Sequence, residues 1–575
     1  MPNWTGVGVP LCLILSFSGC SVLDDLTELE VINQNNPDMV RVWDTAADAE
    51  ALISSGFYVW HVGVYGSSNS VNTLSNAGEE GSVAWCGGSW AGYEPRSAWP
   101  NGASWRYASV NRNPWYRNYE ALSSVYDGLA IIEAKPEYCA DIDCDRAHAF
   151  AKFIQGLAHG FLGLMYDSAF VFDETVDLDG GHLKLKPYPN VIAAAEGYFE
   201  AAIDESAGAS WTLPAGWIRG NPFSAEQLAK FAHSHTARML YSTAREPREH
   251  AAADWQKIVD HVDAGIDLTM TRDGGYGREG IYLDGDPQQN WWQSLNYYGN
   301  ATTASSWHRA DYKSIGFYET DGGYTAWLNA PLNDRDDFCL ATADERIVFP
   351  GQCDQGGLDF VFKGPSPFPS ARGTYFHSMY MNGNYAEYAN GDQSAPMPQM
   401  LYVTQQLIKA EGLARLGNLA AAAGIVDRTR VGRGNLPPAS TTDLNTLLPQ
   451  IWYEYLIENY YVCTGCAYFP RRGWQALSPT GPAHHWGLVE GTPLHFPPPG
   501  KELEILGLPN WTYGGVGNEG GTLQPVPASS VSQGSTWPVS AIYAFNDMVT
   551  TAEKLEHVRR ERPTGSGGIL SLVRH

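Results

Sequence analysis

Two stretches of the chain set flat aromatic side chains beside amides and a guanidinium. The first, 85–106, holds Trp85, Trp90, Tyr93, Arg96, Trp99, Asn101 and Trp105. The second, 291–327, holds Trp291, Trp292, Asn296, Tyr297, Tyr298, Trp307, Tyr324 and Trp327. This mixture suits a ligand whose rings have apolar C–H faces and a rim of hydroxyls, as sugars do. Trp and Tyr cover the faces at small entropic cost. Asn, Asp and Arg pair the hydroxyls, which would otherwise be buried unsatisfied. The candidate contacts are Trp90, Arg96, Trp99, Asn101, Trp292, Tyr297, Tyr298 and Trp327, with Trp99, Asn101, Trp292 and Tyr297 foremost. For any one of these aromatics the competing reading is packing, because long loops fill small cores of their own and Trp is a common filler. Trp115, Tyr119 and Tyr126 share one helical face and read as core. Arg428, Arg430 and Arg433 read as helix-end ion-pair partners.

Catalytic patterns are weaker. A glycoside hydrolase needs two carboxylates across a cleft. Asp336-Asp337 and Asp344-Glu345 are acidic pairs, but adjacent acids in loops are commonly solvated. No GxSxG elbow, HExxH motif or P-loop occurs. Cys463, Cys466, His484 and His485 have the chemistry of zinc ligands, yet adjacent His residues rarely chelate one tetrahedral metal. The expectation is a binding protein without catalytic residues, cofactor or metal. A protein- or peptide-binding scaffold is the alternative, and a secreted glycoside hydrolase a weaker one.

Composition narrows the partners. The 575 residues include 20 Trp and 31 Tyr, and only 17% are charged. The formal charge is −26, which disfavours nucleic acid, because phosphate binding needs a basic footprint. Val7 to Phe17 is an apolar run too short to span a bilayer, and it ends in Phe17-Ser18-Gly19-Cys20. That pattern reads as a lipoprotein signal peptide over 1–19 with Cys20 as the lipidated residue, although Met1 to Pro10 lacks the usual Lys or Arg. In an exported chain the close pairs Cys139/Cys144, Cys339/Cys353 and Cys463/Cys466 read as local disulfides.

The elements that must hold these residues are mainly helices. Trp115, Tyr119, Leu122, Tyr126, Leu129 and Ile132 follow a helical period, as do Phe150, Ile154, Leu157, Phe161 and Leu164, and Met400, Val403, Leu407, Ala410 and Ala414. Further helices are expected near 38–58, 190–206, 224–245, 251–267, 419–431 and 443–461. Gly417-Asn418 ends one helix, and the Gly432–Pro438 stretch ends the next. Helical hairpins joined by tight turns bury their apolar faces by stacking, as in tetratricopeptide-type repeats. Residues 66–114 and 270–398 read instead as long irregular loops rich in Gly, Asn, Ser, Trp and Tyr.

The order of these segments resembles the SusD/RagB family of outer-membrane nutrient-binding lipoproteins. The resemblance begins at Cys20 and Leu23-Asp24-Asp25. It continues through Trp115-Tyr116-Arg117-Asn118-Tyr119, residues 145–166, and Ala237-Arg238-Met239-Leu240-Tyr241. It is densest in Tyr402, Glu411-Gly412-Leu413-Ala414, Gly417-Asn418 and Asp427-Arg428-Thr429-Arg430, and it closes with Phe496-Pro497-Pro498-Pro499 and Glu502-Leu503. A late family motif survives only as Glu454, Glu458, Gly465 and Arg471-Arg472-Gly473-Trp474. The resemblance implies a mostly α, SusD-like fold of four degenerate tetratricopeptide-like hairpins with long irregular ligand-binding loops. The implied layout is a signal peptide (1–19), one binding domain (20–515) and a C-terminal extension (516–575). It further implies lipid anchoring in the outer membrane, exposure at the cell surface, an oligosaccharide or other nutrient as ligand, and a TonB-dependent SusC-like β-barrel transporter as partner.

Overall fold

Thr45 lies in extended backbone and opens the first helix with a reciprocal cap. Its side chain accepts the Asp48 N–H, and the Asp48 carboxylate accepts the Thr45 N–H. The computed structural model describes residues 45–520 without 67, 84–95, 106, 179–182, 289, 292–307, 332–333, 336–337, 367–376, 385–394 and 478–484, and it adds Val526–Pro527. Cys20, the segment 1–19 expected as a signal peptide, and the tail beyond Pro527 therefore lie outside the described residues.

The described chain is mostly helical. The long helices of its first half are α1 (Ala46–Tyr65), α3 (Ser109–Ala134), α4 (Cys144–Met165), α5 (Tyr188–Ser206), α6 (Ala225–Ser242) and α8 (Trp255–Asp263). Two shorter ones, α2 (Ser68–Ala77) and α7 (Pro247–Ala251), lie between them. Then come the short α9 (Tyr312–Ile315) and α10 (Gly323–Asn329), followed by α11 (Tyr402–Arg415), α12 (Leu419–Arg430), α13 (Leu444–Glu458), α14 (Tyr468–Trp474) and α15 (Gly500–Ile505). No helix among the described residues is long and apolar enough to cross a membrane.

Eight helices pack as four pairs: α1 on α3, α4 on α5, α6 on α8, and α11 on α12. Successive pairs touch through α3 and α4, α5 and α6, and α8 and α11, and α13 closes the series against α11 and α12. This is the stacked-hairpin architecture expected of tetratricopeptide-like units. Glycines set the closest approaches. A Cβ on Gly156 of α4 would stand 2.6 Å from the Phe199 ring of α5, and one on Gly412 of α11 would stand 2.5 Å from Val259 of α8. Only a residue without a side chain lets these helices come so near.

The elements differ from the expectations in three places. Met400 belongs to a strand, because Met397–Leu401 extends before the chain turns into α11 at Tyr402. The segment expected as loop from 66 contains α2, whose sequence SNSVNTLSNA has too few apolar residues to show a helical period. The segment expected as irregular loop over 270–398 contains α9, α10 and several short strands. Val526–Pro527 pairs with Trp511–Thr512, and Glu519 accepts the Gly491 N–H.

Strands are short and join segments far apart in sequence. They are β1 (Gly81–Val83), β2 (Ser168–Ala169), β3 (Lys186–Pro187), β4 (Arg272–Asp273), β5 (Glu279–Leu283), β6 (His308–Ala310), β7 (Phe360–Phe362), β8 (Tyr380–Asn382), β9 (Met397–Leu401), β10 (Trp511–Thr512) and β11 (Val526–Pro527). The sheets run β1-β6, β2-β3, β4-β5-β9, β7-β8 and β10-β11, with every named pairing antiparallel.

Buried ion networks tie these loops to the helices. Arg346 is fully buried and reaches Asp344 at 2.7 Å, Glu454 at 2.6 Å and Glu458 at 2.9 Å. Arg278 and Arg433 bridge Asp359 and Glu458 beside it. Arg430 pairs with Glu454 and donates to the Tyr318 hydroxyl. Four arginines thus face four acids, which is what makes so many buried charges tolerable. A second node is Glu411 of α11. It accepts from Tyr241, Trp452 and Arg415 and meets His250 at 2.9 Å. Burial alone would push its carboxyl up, yet His250 and Arg415 hold it at about 2.

The three cysteine pairs are disulfides: Cys139–Cys144, Cys339–Cys353 and Cys463–Cys466. The last closes a tight loop in the connection between α13 and α14 and commits both sulfurs, so they do not serve as thiolate ligands there. His484 lies outside the described residues.

Candidate ligand-binding platform

Strands β1 and β6 are the root of both aromatic stretches. Their register pairs Gly81 with Ala310, Ser82 with Arg309 and Val83 with His308. Residue 84 leaves this strand pair at the end where residue 307 arrives, because the strands run antiparallel. In sequence, Val83 is followed by the stretch carrying Trp85, Trp90 and Tyr93, and its partner His308 is preceded by the stretch carrying Trp292, Tyr297, Tyr298 and Trp307. A third segment joins them. Asp311 bridges to His377 antiparallel and the Ser378 N–H donates to Ala310, which runs β8 toward the same end, with Tyr385 and Tyr388 next in the chain. Trp90, Trp292, Tyr297 and Tyr298 themselves lie outside the described residues.

Trp291 anchors one root on α1. It is buried at 9% exposure and meets Tyr58 edge-on at 4.9 Å and His61 at 5.5 Å. Asp286 accepts its backbone N–H at 2.7 Å. Burial holds His61 neutral, with its pKa near 3.

Beneath the strand pair lies a buried charged floor. Glu79, at the end of α2, has φ +52° and is fully buried. Its carboxylate meets Lys313 at 2.6 Å, Arg471 at 3.4 Å and Arg96 at 3.8 Å, and it accepts the Val489 N–H at 2.6 Å. Burial raises its pKa, but those three cations outweigh burial and bring it below the ordinary value. His308 and His377 are also buried, next to Asp311 through β6 and the 311–377 bridge, and burial drives both pKa values down, that of His308 to about 3. Both ring nitrogens of His377, His308 Nδ1 and Asn382 Nδ2 have no hydrogen-bond partner among the described residues. Buried polar atoms of this kind are uncommon, and here they cluster where the aromatic stretches leave the fold. The adjacent sequence signal is the polar run His308-Arg309 directly after Trp307, which carries no period and so does not stand out among loop residues.

Four of the expected contacts lie within the described residues, and the structure moves all four into the core. Trp99 is fully buried, edge-on to Trp105 at 4.8 Å and to Phe496 at 5.0 Å. Asn101 ties distant segments together: its amide donates to Pro498 O and Asn510 Oδ1, and its oxygen accepts from Asn111 and the Gly500 N–H. Arg96 is turned inward to Glu79 and Thr492. Trp327 packs on Tyr312 and is covered by the Arg335 guanidinium 4.7 Å from its ring. Each sits in a Gly- and Trp-rich segment that needs a core of its own, and packing against it outweighs exposure. Asp344 is likewise buried against Arg346 and Tyr453 rather than solvated. The Asp336-Asp337 pair lies outside the described residues.

No family model matches the sequence, and no curated protein matches it. Solved structures do. A SusD superfamily protein from Parabacteroides distasonis aligns with a TM-score of 0.52 and 14% identity, over 80% of this chain and 97% of that one. A SusD-like carbohydrate binding protein from Bacteroides vulgatus aligns at 0.49 and 15%, over 76% and 86%. A SusD superfamily protein from Bacteroides fragilis aligns at 0.48 and 14%, over 81% and 98%. The chain has the SusD-like fold, and the mostly helical architecture implied by the ordered motifs is the one observed.

Proposed function

We propose that the SusD-like chain is a divergent SusD/RagB-type binding protein that captures an oligosaccharide without transforming it. The observation that supports this reading is the β1–β6 register, which pairs Val83 and His308, the described residues next in sequence to two Trp- and Tyr-rich stretches. Stacked rings with adjacent polar groups hold sugars and need no acid/base pair. The ligand contacts are assigned to Trp90, Trp292, Tyr297 and Tyr298, while Arg96, Trp99, Asn101 and Trp327 support the platform from below. Lipidation at Cys20, outer-membrane anchoring at the cell surface, and delivery of the ligand to a TonB-dependent SusC-like barrel complete the proposal. They rest on the ordered motifs and on the signal pattern at Phe17-Ser18-Gly19-Cys20.

The test is a pair of substitutions read by saccharide titration and thermal melting. Trp292→Ala is expected to weaken saccharide binding at least tenfold, about 1.4 kcal/mol, with an unchanged melting temperature. Trp99→Ala is expected to lower the melting temperature. Unchanged saccharide affinity in both Trp90→Ala and Trp292→Ala would sink the assignment.

A further inference from the structure

Three chain junctions meet at Glu80, whose carboxyl is buried. It stands between α2 and β1 and is 2% exposed. Its Oε1 accepts the backbone N–H of Tyr461, between α13 and α14, at 3.0 Å. Its backbone carbonyl accepts the N–H of Asp311, between β6 and α9, at 3.1 Å. Tyr461 adopts φ +56°, and the neighbouring Glu79 adopts +52°. Non-glycine residues persist in that region only where the surroundings hold them. The Tyr461 hydroxyl in turn receives the Ser75 hydroxyl at 2.9 Å and faces His308 Nε2, the residue paired with Val83 across the β1–β6 ladder.

We propose that protonation of Glu80 clamps the β1–β6 strand pair, so that the platform is firm in mildly acidic surroundings and loosens as Glu80 ionises. The proposal rests on the reading above in one respect only, that this strand pair presents the ligand contacts. The groups around Glu80 determine the direction of the effect. From α2 it faces Ser75 and its neighbour Glu79. From the α13–α14 segment it faces Tyr455, Tyr460, Tyr461 and Arg471. From the β6–α9 junction it faces Asp311, with Lys313 beyond on Glu79. Lys313, Arg471 and Arg96 are already gathered on Glu79. Glu80 draws on Arg471 only weakly, so burial prevails and raises its pKa to about 7. The three tyrosines are raised further above 10 and stay neutral at pH 8, and His308 near 3 stays neutral above pH 5. Asp311 is pushed up by burial and by Glu79, and it is the second acid at the junction.

The sign follows from linkage. An acid that titrates near 7 when clamped and near 4.5 when released favours the clamped form at low pH. Between pH 6 and pH 8 the opening equilibrium should rise about tenfold. Amide hydrogen exchange of the whole chain, corrected for intrinsic rates, reads this without any ligand. Protection at 81–83 and 308–310 is expected to fall about tenfold from pH 6 to pH 8 in the wild type. In Glu80→Gln, which keeps an acceptor for the Tyr461 N–H, the change is expected to shrink to less than twofold. Asp311→Asn, which keeps the cap on α9, should leave the Glu80-dependent change in place. Equal wild-type protection at the two pH values overturns the proposal, as does an undiminished change in Glu80→Gln. The saccharide titration stands apart, so failure of the binding reading and failure of the clamp are told apart.

Discussion

At the scale of single residues, the chain uses its unusual polar side chains to fasten segments together. Glu411 shows this most directly. It sits in the Glu411-Gly412-Leu413-Ala414 motif and satisfies Tyr241, His250, Arg415 and Trp452 at once. Removing it leaves buried donors and a buried charge without a partner, so Glu411→Ala should cost about 3–5 kcal/mol in denaturant unfolding. Its pH signature has a definite sign. The carboxyl titrates near 2 in the fold and near 4.5 when unfolded. The stability it contributes is complete above pH 4.5 and is lost as pH falls toward 2, about 3 kcal/mol in all. His61 near 3 and His159 near 4 are excluded from protonation by burial, so they add a loss of the same sign as pH falls below 6.5. Glu80 and Asp311, raised by burial, act with the opposite sign, so the Glu411 part is read by difference: as pH falls from 4.5 toward 2, wild type should lose more stability than Glu411→Gln. Equal losses in wild type and Glu411→Gln over that range would contradict the charge assigned to Glu411. The same residue scale shows what the sequence hid. Trp99 and Trp292 look alike as letters, since each is a Trp near Asn in a Gly-rich stretch. Only three-dimensional packing shows that Trp99 faces Phe496, nearly four hundred positions away.

At the scale of elements, glycine spacing and disulfides control how the helices meet. Gly156→Ala would place a methyl 2.6 Å from the Phe199 ring, and overpacking of that kind costs about 1–3 kcal/mol. A melting temperature equal to wild type would show that α4 and α5 separate freely. Cys463 and Cys466 are 6% and 4% exposed, whereas Cys139 and Cys339 lie at the surface. A mild reductant is thus expected to open Cys139–Cys144 and Cys339–Cys353 before Cys463–Cys466, as thiol labelling and peptide mapping would record. Early labelling of Cys466 would contradict its burial. The helices legible in the sequence carry an apolar period, α3 through Trp115 to Ile132, α4 through Phe150 to Leu164 and α11 through Val403 to Ala414, or stand between clear stops, as α12 does between Asn418 and Gly432. The polar α2 had no such period. The β1–β6 pairing joins residues more than two hundred positions apart and leaves no local trace, so the two aromatic stretches were found but their common root was not.

At the scale of the whole molecule, a stack of paired helices carries a layer of short strands and loops, and buried arginine–carboxylate networks fasten the layer to α12 and α13. This division assigns stability to the helices and recognition to the segments rooted on the β1–β6 pair. The order of motifs revealed the stack, because those motifs are the residues that hold it: Glu411, Arg430, Glu454 and Glu458 all lie in the buried networks. It does not reveal the ligand, because the segments to which recognition is proposed to belong carry no periodicity. Capture of an uncharged glycan is the central claim, and calorimetric titration of the chain from Ser21 onward against neutral oligosaccharides and against peptides tests it most directly. The account predicts saturable saccharide binding with no product formed, and loss of that binding in Trp292→Ala. Peptide binding without saccharide binding, or turnover of the saccharide during the titration, would contradict it.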